Sequence, residues 1–158
     1  MRDVAVLGVG MHAFGKFEDK SVTDLCRTAV VAALADAGVS WREVEAVAAA
    51  SSRFSGGKGW GLNGNDVVED MGSTGIPVYN LSAGCSAGGN AFNIGTTLVA
   101  SGLHDVVLVV GGDAGPQSIG LYTVGIAVTL GAARVVYADQ DPTRLALAVR
   151  LGAEPRDG

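Results

Sequence analysis

The sequence predicts an α/β protein in which helices cover both faces of a mostly parallel sheet. The apolar runs are short and rich in β-branched residues, as in VVLVV at residues 106–110, and such runs are typical of strands buried on both faces. Segments with helical spacing of apolar residues separate these runs, and many of the 24 glycines stand at the junctions between them. A strand, a crossover helix and a further parallel strand form the common right-handed unit of such folds.

Five strands are predicted, and each is a short run bounded by glycine or polar residues. They cover residues 4–9, 44–50, 77–81, 105–111 and 133–138. The third begins with Pro77, which is tolerated because proline is found at the first residue of a strand.

Helices are predicted between these strands, over residues 21–38, 67–71, 85–101, 118–130 and 142–151. The first is the best marked, because Ser21 is a typical N-cap, Asp24 completes a carboxylate version of the capping box, and Gly38 is typical of the residue after a helix. The helix over 118–130 is apolar nearly all round, and we therefore expect it to be buried.

The composition excludes several classes of function. The chain has 158 residues, 48% hydrophobic and 17% charged, which favours a folded domain over a disordered segment. A net charge of -5 without a basic cluster argues against nucleic acid or an anionic membrane as partner. The apolar runs are strand-sized, so we expect no membrane span. Two cysteines without a signal peptide indicate free thiols in a reducing cytoplasm.

The sharpest chemical feature is NLSAGCSAGG, which places Cys85 where a strand turns through glycines into a helix. A thiol at a helix N-terminus meets unpaired N–H groups and the positive end of the helix dipole, and both favour the thiolate. Gly84, Gly88 and Gly89 permit close approach of backbone or substrate. This arrangement suits a nucleophile for acyl transfer. A buried structural cysteine in a glycine turn is the alternative.

The segment MGSTGIPVYNLSAGCSAGGNAF resembles the nucleophile segment of the thiolase superfamily, in particular its lipid-transfer-protein (sterol-carrier-protein) branch. VAVLGVGMHAFGKF, LADAGVSWREVEAV and SGLHDVVLVVGGD match the same family in order and spacing, so the resemblance covers about the first 113 residues. It implies a layered thiolase-like sheet and a Cys85 that takes an acyl group from an acyl-CoA as a thioester. It implies no required cofactor and no metal, and subunits that pair through their sheets as a homo-oligomer, with residues 77–81 as the candidate edge.

The same resemblance indicates what this chain does not supply. Thiolases bring a histidine and a second cysteine, the acid–base pair of the carbon–carbon step, from a carboxy-terminal half that repeats the fold. Here the candidates are His12, His104 and Cys26, of which we expect the histidines to lie in loops and Cys26 to lie in the core. The chain is therefore either an acyltransferase portion that is incomplete alone or a non-catalytic subunit that needs a complementing partner.

From Gly112 onward the sequence resembles instead the first cofactor-binding unit of a medium-chain alcohol dehydrogenase. Gly112, Gly115 and Gly120 would form the phosphate turn, and Asp139 at the end of the next strand would bind the ribose hydroxyls of NAD. Gln117 occupies the middle glycine position of that turn. This resemblance predicts a thiolase-like part over 1–111 and a Rossmann-like extension over 112–158 that either continues the same sheet or stands apart. The alternative function is then that of an NAD-binding dehydrogenase fragment. A natural fusion, a gene rearrangement or an engineered chimera would each explain the two resemblances in one chain.

Overall fold

The computed structural model describes residues 2–15, 17, 19–52, 61–113 and 119–157, which group into two compact units, Met1–Ala114 and Gly115–Gly158. The first unit contains α1 (Val22–Ala37), a 3-10 turn (Trp41–Glu43), β1 (Ala46–Ser51), α2 (Gly64–Met71), β2 (Val78–Ser82), α3 (Ala87–Ala100) and β3 (Val107–Gly111). The second unit contains α4 (Ile119–Thr129), β4 (Val136–Asp139), α5 (Pro142–Arg150) and β5 (Glu154–Asp157). None of the helices in the described ranges combines the length and the apolarity that crossing a membrane requires.

The sheet of the first unit has the order β2-β1-β3, and all three strands are parallel. Ala50 of β1 lies opposite Leu81 of β2 and Gly111 of β3. Because the strands are parallel and in register, their carboxyl ends meet at one edge of the sheet, where ligands of open α/β sheets bind. The predicted α/β fold with parallel strands is thus confirmed.

The central strand β1 is buried along its whole length, because helices cover it on both sides. Val47 and Ala49 belong to a core cluster with apolar side chains of α1 and α2. Ala48 and Ala50 belong to a second cluster with alanines of α3. The contact with α3 is close, since a methyl group at Gly95 would come within 2.6 Å of a valine of β3. Small side chains in β1 and α3 therefore let helix and sheet pack tightly.

Helix α1 begins and ends where the sequence predicts. The Ser21 hydroxyl accepts a hydrogen bond from the Asp24 N–H at 3.1 Å, and the Asp24 carboxylate accepts one from the Ser21 N–H at 2.8 Å. Gly38 follows the helix with φ of 65°, a left-handed conformation that glycine adopts without a steric penalty. The capping box and the helix end are both confirmed.

Residues 4–9 form no strand among the described residues, so the predicted first strand is wrong in this structure. Its apolar side chains are exposed, and Val6 is 65% exposed. The Arg2 guanidinium donates to a carbonyl at the end of α3 at 2.7 Å. The Val9 N–H donates to the Asp36 carboxylate of α1 at 2.9 Å. Contacts with α1, with the end of α3 and with the loop before β3 therefore hold the segment.

In the second unit, β4 and β5 pair in parallel and form a sheet of their own rather than an extension of the first sheet. The core contains Val124, Tyr137, Ala148 and Ala153. Helix α4 coincides with the predicted helix, but Ile126 is 61% exposed, so the prediction that this helix is buried on all sides is wrong. Strand β5 has the sequence EPRD, whose composition is not that of a strand, and its pairing with β4 explains why it forms.

Candidate active site

Cys85 lies at the carboxyl edge of the sheet, in the turn that joins β2 to α3. Gly84 has φ of 54°, a left-handed conformation that explains a glycine directly before the cysteine. The N–H of Ser86 donates to the carbonyl of Ala83 and the N–H of Ala87 to that of Gly84, both at 3.1 Å. Hydrogen bonds within five consecutive residues therefore fix the turn. They place Cys85 directly before the N-cap of α3.

Cys85 is exposed, and so are Gly88 and Gly89 in the first turn of the helix that follows it. A methyl group built at Gly88 or Gly89, in the first turn of α3, would meet nothing within 4 Å. Helix α3 has 14 residues, so its N-terminus carries a substantial positive partial charge near the sulfur. Cys85 is therefore not buried among the residues that the structure describes.

Asp113, which follows β3, is hydrogen-bonded to the end of β1 at the same edge of the sheet. The sequence did not identify it as a candidate site residue. One carboxylate oxygen accepts the Ser51 hydroxyl at 2.8 Å, and both oxygens accept the Ser52 N–H at 3.0 Å. Ser51 lies opposite Ser82 in the strand register, and Ser82 stands three residues before Cys85. The position of Asp113 just after a buried strand, at the edge where ligands bind, is the signal that could have identified it.

Cys26 lies on the buried face of α1 and is 3% exposed, which confirms that it belongs to the core. Burial, together with the nearby charge of Asp113, raises the pKa of its thiol to about 11. The thiol is therefore protonated near neutral pH and cannot serve as the second reactive cysteine of a carbon–carbon step.

Each of the two histidines lies close to a charged side chain. The Nδ1–H of His12 donates to the Ala13 carbonyl at 2.8 Å, and its Nε2 is 3.0 Å from the Lys20 ammonium. The Nδ1 of His104 is 3.8 Å from a carboxylate oxygen of Glu45. In these positions neither imidazole is placed as a base for Cys85.

The predicted phosphate turn receives little support from the residues that the structure describes. Gly112 continues the ladder of the first sheet, since its N–H donates to Ala50 at 3.3 Å and its carbonyl accepts from Leu62 at 3.2 Å. A methyl group at Gly112 would overlap the sulfur of Cys26, so packing against α1 explains this glycine. Gly120 lies in the first turn of α4, whereas Gly115 and Gln117 lie outside the described residues.

Asp139 ends β4 as the sequence predicts, but its carboxylate is engaged by the protein itself. Arg144 donates to both oxygens at 2.6 Å, and the Tyr137 hydroxyl donates at 2.7 Å. The N–H groups of Gln140 and Asp141 donate at 2.8 and 3.0 Å. The Arg144 guanidinium, with these other donors, holds the pKa of the Asp139 carboxyl well below its ordinary value. A ribose hydroxyl would therefore have to displace existing hydrogen bonds.

Across the described ranges, no group of three or more His, Cys, Asp or Glu side chains lies close enough to hold a metal ion.

Comparison with known proteins identifies thiolase-type relatives of the first unit. The family described as "Thiolase, N-terminal domain" matches residues 4–118. An acetyl-CoA acetyltransferase of Methanothermobacter thermautotrophicus is 35% identical over 117 residues, which cover 70% of this chain and 29% of that protein. Sterol carrier protein 2 of Gallus gallus is 38% identical over 112 residues, covering 70% of this chain and 20% of that protein.

The fold agrees with the sequence match. The crystal structure of an OleA variant of Xanthomonas campestris bound with cerulenin superposes with a TM-score of 0.52 at 19% identity, and covers 79% of this chain and 37% of that one. The chain thus spans between a fifth and two fifths of the length of these proteins. Since the family match covers most of the sequence, the chain belongs to the thiolase superfamily, as the resemblance of its first 113 residues predicts.

Proposed function

We propose that this chain carries out the acyl-transfer step of a thiolase, with Cys85 as the nucleophile and an acyl-CoA as the substrate. The observation that carries the proposal is an exposed cysteine at the N-terminus of α3 in a chain of the thiolase superfamily. Its relatives include an acetyl-CoA acetyltransferase.

The step is a thioester exchange. The Cys85 sulfur attacks the carbonyl carbon of the acyl-CoA and forms a carbon–sulfur bond. The bond between that carbon and the CoA sulfur breaks, and the proton that leaves Cys85 ends on the CoA thiol. The products are acyl-Cys85 and free CoA, so no redox cofactor is consumed and no metal is required.

The local structure supports this chemistry in two ways. The N-terminus of α3 stabilises the negative charge that develops on the carbonyl oxygen in the tetrahedral intermediate. Because Gly88 and Gly89 carry no side chain, the first turn of α3 leaves room for the flat thioester group against the helix end.

A carbon–carbon step needs an acid–base pair in addition to the nucleophile. Cys26 is buried and protonated, and both histidines contact charged side chains rather than Cys85. We therefore assign that step to groups of a second thiolase half that lies outside the described residues. The chain alone is expected to acylate once and then to stop.

The proposal is tested by mixing the purified chain with acetyl-CoA and measuring both the intact mass and the CoA released. We expect one acetyl group, sensitive to hydroxylamine, per chain and an equal amount of CoA. Cys85→Ser abolishes both signals, and Cys26→Ser, the matched control, leaves them unchanged. Acetylation that survives in Cys85→Ser, or that falls equally in the two variants, contradicts the assignment.

The NAD alternative rests on the place of Asp139 at the end of β4, and the Arg144 ion pair argues against it. We expect calorimetric titration with NAD to give no heat of binding. A heat that is present in the unmodified chain and lost in Asp139→Ala would restore the dehydrogenase alternative.

A further inference from the structure

Asn63, the N-cap of α2, is directly followed by Gly64. Asn63 is exposed, and its Oδ1 accepts the Asn65 N–H at 3.0 Å. Where glycine follows asparagine, no side chain hinders the approach of the glycine nitrogen to the amide carbon of the asparagine. This pair is therefore the place in α2 where a side chain can react with the main chain.

The side-chain amide of Asn80, in β2, contacts both residues of the pair. Its Oδ1 accepts the Gly64 N–H at 2.7 Å, and its Nδ2 donates to Oδ1 of Asn63 at 3.2 Å. One amide thus holds both the backbone nitrogen that would attack and the amide that would be attacked. Neither hydrogen bond belongs to a helix or to the ladder of the sheet, so both depend on this single side chain.

Close packing also fixes Gly64, which is buried. A methyl group there would come within 2.6 Å of the Ala49 Cβ and of a Val78 methyl group, so α2 begins in contact with β1 and β2. Asn63 has an extended backbone with ψ of 123°. Ring closure requires rotation about this bond, and the rotation would move Gly64 within its tight contacts. The folded chain therefore opposes the reaction.

We propose that Asn63 is a deamidation site of this chain and that the Asn80 side chain slows its reaction. The Gly64 nitrogen attacks Cγ of Asn63 and forms a carbon–nitrogen bond. The bond from Cγ to Nδ2 breaks, and Nδ2 leaves as ammonia with the proton of the Gly64 amide. Water then opens the cyclic imide at either carbonyl and gives aspartate or isoaspartate. One water is consumed and one ammonia is released.

The isoaspartate product alters the start of α2. It has one additional carbon in the main chain before Gly64, and the side chain that caps the helix is shortened. The preceding residue is fixed, because the Leu62 N–H donates to the Gly112 carbonyl at 3.2 Å. The added length therefore falls on the first turn of α2. The reaction involves neither Cys85 nor an acyl-CoA, so it is independent of the proposed acyl transfer.

Peptide mass spectrometry of the full chain, kept in warm and mildly alkaline buffer, tests the proposal. We expect the mass gain of an amide-to-acid conversion at Asn63, and none over the same time at the exposed Asn90 and Asn93, which precede residues with side chains. Asn63→Ser keeps a preferred N-cap residue and should abolish the gain. Deamidation that falls first on Asn90 or Asn93 overturns the assignment.

Substitution of Asn80 tests the second part of the proposal. Asn80→Ala removes two hydrogen bonds of ordinary strength and should accelerate deamidation of Asn63 by on the order of tenfold. Circular dichroism shows whether the variant is folded. Asn80→Asp is isosteric and keeps an acceptor for the Gly64 N–H, so its rate should stay near that of the unmodified chain. Equal rates in Asn80→Ala and the unmodified chain overturn the role of Asn80, as does an Asn80→Asp rate as high as that of Asn80→Ala.

The unmodified chain in urea supplies a comparison that does not depend on the folding of any variant. Unfolding removes both the Asn80 hydrogen bonds and the packing of Gly64, and deamidation of Asn63 should then be at least on the order of tenfold faster than in the folded chain. The same rate in the folded and the unfolded chain overturns the proposal.

Discussion

The two thiols of the chain differ in environment, and their rates of alkylation should differ accordingly. The pKa of Cys26 is raised to about 11 by burial and by Asp113. At pH 8 roughly 0.1% of such a thiol is ionised, whereas about a quarter of an ordinary thiol is ionised. Because the thiolate is the reactive form, ionisation alone slows Cys26 by on the order of 100-fold. The exclusion of reagent from a side chain that is 3% exposed slows it further.

The assay is timed alkylation with iodoacetamide, followed by peptide mass spectrometry. We expect Cys85 to be modified first and nearly completely before Cys26 reacts. Raising the pH from 8 to 9 should raise the Cys26 rate about tenfold, since its thiolate fraction grows tenfold per pH unit below its pKa. Cys85→Ser and Cys26→Ser, each with a single thiol, assign the two rates. Similar rates in the two variants would refute the environment deduced for Cys26.

Two further predictions concern stability. Gly112→Ala places a methyl group on the Cys26 sulfur and should destabilise the fold by about 1–3 kcal/mol in urea unfolding. The added change Cys26→Ala should recover part of this loss. Gly88→Ala is the neutral control, because a methyl group there meets nothing within 4 Å. The folded-state pKa of Asp139 is lowered by Arg144, so the stability that this pair contributes is present above the unfolded-state pKa of about 4 and is lost as pH falls toward the folded-state value. Thermal unfolding followed by circular dichroism between neutral and acidic pH should show that loss, and a matching acid slope in Arg144→Ala would count against it.

Features decided by neighbouring residues could be predicted from the sequence. The capping box of α1 depends on Ser21 and Asp24, which are three positions apart. The end of α1 depends on Gly38, which directly follows the last helical residue, Ala37. The place of Cys85 follows from a turn and a helix start within the same ten residues. Such local interactions leave a pattern in the sequence that does not require knowledge of the rest of the fold.

Features decided by distant partners could not be predicted in the same way. Residues 4–9 have the composition of a strand, but whether a strand forms depends on which edge they reach. Strand β5 shows the converse, since pairing with β4 makes a strand of a charged sequence. Gly112 fits a nucleotide turn by spacing, and only its contact with Cys26, 86 positions earlier in the sequence, shows the packing reason.

The two steps of the proposed chemistry also differ in whether they depend on neighbouring residues or on distant ones. The nucleophile depends on the turn at residues 82–86, the start of α3 and the small side chains of β1 on which that helix packs, all of which lie within the first unit. An acid–base pair must converge on the sulfur from other parts of a fold, and His12 and His104 are held elsewhere by their own neighbours. Acylation should therefore persist in this chain without turnover. We therefore expect the chain to release one equivalent of CoA and no more on longer incubation. Continued release would show that a base acts on acyl-Cys85 within the chain itself.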